Sequence, residues 1–216
     1  MNNFNINATI PYVSKERLNP SLQNFFKVVL DEFQRELQLI ASQWYNYENE
    51  HGAGTDDIFA LIERTYVGIF NNAIIRLFPN DAVVQEFSVE VGKGKYNRCD
   101  YLVKHWHEGN SINIMFEAKQ RQFDGKDYSP EESRSFLADF LNQGRGYFEA
   151  EKQFYIGSET YVVSLVFEWV RYPEHLKQAF KYSNDGDDGV TDFFCFYHTD
   201  TAGLMVYGNA ELQIIN

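Results

Sequence analysis

Two alternating segments in the middle of the chain leave little freedom in how it can fold. Arg98 to Trp106 and Ile112 to Gln120 are joined by His107-Glu108-Gly109-Asn110, a turn-forming run that makes the pair a β-hairpin. Side chains alternate across a strand, so Tyr101, Val103 and His105 share a face with Ile112, Ile114, Phe116 and Ala118. That face is a core surface. With Glu108-Gly109 as the two-residue turn, Asp100 lies opposite Glu117; with Gly109-Asn110 it faces Lys119. Either register gathers Asp100, Glu117 and Lys119 on the other face.

Two carboxylates side by side on neighbouring strands repel each other, and a sheet that tolerates them usually has a cation to place between them. Lys119 supplies one charge, and a hard divalent ion would supply more. Mg²⁺ or Mn²⁺ suits one or two carboxylates plus water and a substrate phosphate. The expected chemistry is phosphodiester hydrolysis, with Lys119 orienting the attacking water or stabilising the charge that develops on phosphorus.

The flanking segments supply the layers. Asn19-Pro20 is an N-cap followed by proline, and Leu22, Phe26, Val29, Phe33, Leu37, Ile40 and Trp44 recur at helical spacing, predicting a helix over 20–50. A second helix is expected from Thr55 to about Phe78, stopped by Pro79. Strands are expected at 83–91, 98–106 and 112–120. Ser129-Pro130-Glu131-Glu132 then opens a helix to about Glu151. A strand near Tyr161–Trp169, a short helix from Pro173, a polar Asp185–Gly189 turn and a hairpin over 192–214 complete the chain. No repeat or linker divides it, so residues 1–216 are expected to form a single domain.

Asp100 followed by Glu117-Ala118-Lys119 resembles the Asp and Glu-x-Lys motif of the PD-(D/E)xK nuclease superfamily over roughly residues 55–169, in the order helix, three strands, helix, strand. Gln143-Gly144-Arg145-Gly146-Tyr147 is similar to the Gln-x-x-x-Tyr motif of RecB-type members. The resemblance implies an α/β, restriction-endonuclease-like three-layer sandwich: a mixed central sheet flanked by helices, with helix 20–50 and an extra C-terminal β-hairpin, 192–214, as additions. It also implies that Asp100, Glu117 and the Ala118 carbonyl ligate the metal, that Lys119 is the catalytic cation, and that Gln143 and Tyr147 position the site and contact nucleic acid. Glu63, a carboxylate among Phe59, Tyr66, Val67 and Phe70, either supports the metal or pairs with a core Arg or Tyr. Cys99 stands where the family often has proline. Arg98 and Arg121 flank the site, either as phosphate contacts or as ordinary basic residues near strand ends. Gln143 and Tyr147 could equally form an amphipathic helix edge, its two glycines permitting close packing.

The formal charge of −12 argues against a polyanionic partner, but its distribution is uneven. Residues 93–152 hold ten Lys or Arg against ten Asp or Glu, so the excess acid lies elsewhere. DNA, ahead of RNA, is the expected substrate, with a DNA-binding or other protein partner compatible with the acidic exterior. The alternative is a non-catalytic adaptor or immunity-like protein that binds a basic partner through that exterior. With no apolar span and no leader-like N-terminus, no membrane association and a cytoplasmic location are expected. His105 and His107 have i, i+2 spacing but lie on the apolar side, which favours packing over zinc.

Overall fold

A computed structural model describes residues 5–51, 59, 63–107, 109–123, 130–155, 158–171, 174–177 and 191–214. The expected helix start at Thr55, the Ser129 cap, Pro173 and the Asp185–Gly189 turn lie outside these residues. Short strands β1 (Asn7–Ala8) and β2 (Tyr12–Val13) precede α1 (Pro20–His51) and α2 (Glu63–Leu77). Then come β3 (Ala82–Gly92), β4 (Lys95–His107), β5 (Asn110–Phe123), α3 (Pro130–Glu151), a 3-10 turn (Lys152–Phe154), β6 (Glu159–Val170), β7 (Phe193–His198) and β8 (Gly203–Gln213).

The strands form one eight-stranded sheet ordered β1-β7-β8-β6-β5-β4-β3, with β2 also on β7. Among the described residues only β5 and β6 run parallel; every other pair is antiparallel. The 192–214 hairpin is therefore β7 and β8 of the same sheet, and β8 lies directly against β6. The arm strands β1 and β2 were not expected. Two-residue strands in a polar segment carry no readable alternation, and only β7 induces them.

Asn19 caps α1 as its sequence position implies: its side-chain oxygen accepts the Leu22 N–H at 2.8 Å. Leu22, Phe26, Phe33 and Leu37 of α1 and Tyr66, Phe70 and Ile74 of α2 are buried in one core with Tyr101, Phe116, Leu165 and Val206 of the sheet. On the opposite face, Leu137, Leu141, Tyr147 and Phe148 of α3 pack over Met115, Val162, Val166 and Met205. The sheet is thus covered by helices on both faces, and β6, buried along almost its whole length, reads as a continuous apolar run for that reason. This is an α/β fold compatible with a three-layer sandwich. No helix among the described residues is long and apolar enough to cross a membrane.

Of the two α3 glycines, only Gly144 is needed for close packing. A Cβ there would lie 2.4 Å from Val162 Cγ1 on β6, whereas at Gly146 nothing lies within 4 Å. Gly144→Ala is expected to destabilise by about 1–2 kcal/mol, as overpacking outweighs the better helix propensity. Gly146→Ala should stabilise by up to about 1 kcal/mol. Urea unfolding of both variants checks the pair, and equal effects would show that α3 does not sit this close to β6.

Candidate metal centre

The β4–β5 ladder runs from His107↔Asn110 to Tyr101↔Phe116, the register with Glu108-Gly109 as the turn. It ends one step before Asp100 and Glu117. There a side chain takes over from the ladder: Asp100 Oδ2 accepts the Ala118 N–H at 2.6 Å. Asp100 is also where the neighbouring strand departs from regular geometry. The β3–β4 ladder pairs Gln85 with Tyr101 and Phe87 with Cys99 but skips Glu86 and Asp100 between them. Glu86 has φ +46°, a left-handed conformation that costs a non-glycine residue about 1–3 kcal/mol.

The kink turns both strands over. Val83 and Val103 face the α1/α2 core, while Phe87, Val89 and Cys99 face the α3 side, although all have odd numbers. Asp100 thus sits where β3 and β4 exchange faces. It lines a cleft with Glu63, Arg64 and Val67 of α2.

Glu117 lies beside it on β5, 1% exposed. Its Oε1 accepts a hydrogen bond from Lys119 Nζ at 2.8 Å, while Oε2 is buried with no hydrogen-bond partner among the described residues. The same ammonium donates to the Ala118 carbonyl at 2.8 Å and lies 3.9 Å from Asp100 Oδ2. Glu63, at the start of α2, comes in from the other layer and accepts the Gln120 N–H at 2.9 Å. Among the described residues its hydrogen-bond partner is the β5 backbone rather than a core Arg or Tyr side chain.

The charges register one another. Burial raises Glu117 to about 7; the Lys119 hydrogen bond works against the rise and the nearby Asp100 adds to it. Burial also raises Asp100, opposed by the Ala118 N–H and Lys119 and reinforced by Glu63 and Glu86. Burial alone would lower the Lys119 ammonium, but the Glu117 hydrogen bond and the surrounding carboxylates outweigh it and hold the group above its ordinary value. One lysine does not neutralise this many acids.

Tyr147 is buried under α3, and its hydroxyl accepts a hydrogen bond from Gln143 Nε2 at 2.5 Å. Burial raises it; Gln143 opposes the rise, and the charges of Glu117, Cys99 and Asp100 add to it. Lys119 Nζ also lies 5.5 Å from the Phe140 ring. Cys99 is buried 3.5 Å from the Phe116 carbonyl, and burial pushes its thiol far up, so it is unreactive.

Arg121 serves the structure. Its Nε lies 2.7 Å from Glu168 Oε1, and Tyr207 donates to the other oxygen of that fully buried carboxylate at 2.6 Å. Its guanidinium stacks 5.1 Å from the Phe136 ring. His105 is likewise packed: its Nδ1 is 2.6 Å from Asp81 Oδ2, between Phe25 and Phe78.

Arg98 instead borders a cleft lined in part by Glu63, Arg64, Glu86 and Asp100. Arg64 and Glu86 are the residues the sequence did not flag. As the side chains stand, no three His, Cys, Asp or Glu side chains among the described residues form a group that could hold a metal ion. The Lys119 ammonium bridges Glu117 and the Ala118 carbonyl in the interval between the carboxylates. Comparison with protein-family models, curated proteins and solved structures finds no match.

Proposed function

We propose that this chain is a restriction-endonuclease-like hydrolase that cuts nucleic-acid phosphodiesters, DNA ahead of RNA, with Mg²⁺ or Mn²⁺. The observation that carries the reading is Glu117: a nearly inaccessible carboxylate in mid-sheet, beside Asp100, with one oxygen on Lys119 and the other without a hydrogen-bond partner among the described residues. Burying such a group for structure alone is costly. A cation ligand resolves the cost.

Asp100 and Glu117 would hold the ion, with the Ala118 carbonyl as a further donor and Glu63 in support. When bound, such an ion supplies Lewis-acid polarisation of the phosphoryl group and acidifies water. Lys119, released from Glu117, then offers its charge to the phosphoryl oxygens as negative charge builds on them. The Asp100 bond to Ala118 N–H and the Glu63 bond to Gln120 N–H fix the β5 backbone on either side of Lys119. Gln143 and Tyr147 close the α3 side and limit water around the carboxylates.

The test is incubation of the pure protein with circular DNA, linear DNA and RNA in Mg²⁺, Mn²⁺ or EDTA, beside Lys119→Ala. Metal-dependent cleavage that falls about 10²-fold or more in the variant is expected. Cleavage persisting in EDTA or in Lys119→Ala would sink the mechanism. The Lys119–Glu117 ion pair and the −12 charge favour a second reading, a non-catalytic protein that binds a basic partner. Under that reading no nucleic acid is cut in any metal.

A further inference from the structure

We propose that Arg64 and Arg98 form an anion subsite for a backbone phosphate next to the cleaved one, and that Glu86 occupies it in the free protein as an internal substitute for that phosphate. The inference rests on the hydrolase reading and names how its substrate is held. Arg64 comes from the first turn of α2 and Arg98 from β4, yet both converge on one carboxylate: Arg64 Nε is 3.4 Å from Glu86 Oε1 and Arg98 Nη1 is 3.2 Å from Oε2. A planar anion bound through two oxygens by two guanidiniums reproduces how arginine grips a phosphodiester.

Three further observations support the assignment. The pair lines the cleft that also holds Glu63 and Asp100, so an anion there adjoins the candidate metal centre. Glu86 holds this position with a positive φ, a strained conformation kept in the strand opposite Asp100. Both guanidiniums are open to solvent, their side chains 75% and 65% exposed, so their ion pairs are weak enough for a substrate phosphate to displace. Arg121 offers no such site, because its partner Glu168 is fully buried.

The experiment measures binding of fluorescent DNA and RNA oligonucleotides by anisotropy, with Ca²⁺ replacing Mg²⁺ so that binding is read without turnover. Arg64→Gln/Arg98→Gln is expected to bind about tenfold more weakly and to lower the slope of log affinity against log salt by about 1 to 2. Its melting temperature should stay close to wild type. Glu86→Gln is expected to bind more tightly, by about 3- to 10-fold, and that gain should vanish when both arginines are also replaced. If wild type binds and the double arginine variant binds with equal affinity and slope, the subsite is overturned while the hydrolase reading stands. If binding depends on the arginines but no metal supports cleavage, hydrolysis is overturned and the subsite stands. An absence of any oligonucleotide binding by wild type overturns the subsite outright.

Discussion

Replacing Glu117 with glutamine is expected to cut metal-dependent cleavage by about 10²–10³-fold while making the metal-free protein more stable above neutral pH. The activity loss follows from removing a charged donor whose contribution is worth several kcal/mol of transition-state stabilisation. The gain in stability follows from linkage. Glu117 titrates near 7 in the folded chain, raised by burial from the ordinary 4.5. A raised folded pKa means that the native state binds the proton more tightly than the unfolded state. The favourable contribution is therefore complete below about 4.5 and is lost as pH climbs through about 7. Glutamine has no such loss, so the variant's advantage over wild type should open across this window and level off above it.

Melting curves from pH 4.5 to 8.5, without metal and with Mg²⁺, check this directly. Above pH 7 the variant should melt higher without metal, by about 2–8 °C. Mg²⁺ should then raise wild type more than the variant, because the ion favours the ionised carboxylate. An advantage that does not change with pH, or equal Mg²⁺ stabilisation of both proteins, would remove Glu117 from the metal site.

The sequence made the hairpin and its two faces legible because side-chain alternation is a period-two property of strands, with Tyr101, Val103, Ile114 and Phe116 on one side and Glu117 and Lys119 on the other. It revealed the α1 cap at Asn19 for a similar local reason. It hid the place where β3 and β4 turn over. Val83, Phe87 and Val89, like Cys99, Tyr101 and Val103, keep apolar side chains at odd positions, with Gln85 as the one polar break among them, as if each strand presented a single face. Both faces are covered by helices, so apolar residues are accepted on either side and apolar odd positions resume past the reversal. The backbone of Glu86 and the ladder step it skips with Asp100 record it. The Arg64–Glu86–Arg98 cluster was hidden for the same reason: it joins a helix to two strands through a kink that no spacing announces. Glu63 was legible as a carboxylate on an apolar helix, but its bond to the Gln120 N–H depends on how α2 meets β5.

Gly208→Ala is expected to destabilise the fold by about 3 kcal/mol, lowering the melting temperature by about 6–12 °C, and to weaken the metal centre although it touches none of its residues. A Cβ at Gly208 would fall 1.8 Å from the Ser164 carbonyl oxygen and 2.6 Å from Phe193 Cζ. Neither can yield easily. Ser164 belongs to the backbone of β6, held in register by β5 on one side and β8 on the other. The Phe193 ring is stacked on Phe26 of α1 with centroids 4.1 Å apart. The side chain must therefore be accommodated by moving β6 away from β8, and the β5 residue paired with Ser164 is Glu117. A shift of that strand disturbs the carboxylate whose spacing from Asp100 defines the site. Gly146→Ala, which adds the same methyl in open space, is the matched control. Thermal melts of both variants with and without Mg²⁺ should show Gly208→Ala losing both stability and part of its Mg²⁺ response. A variant that melts like wild type would mean that β6 and β8 are farther apart than this packing requires.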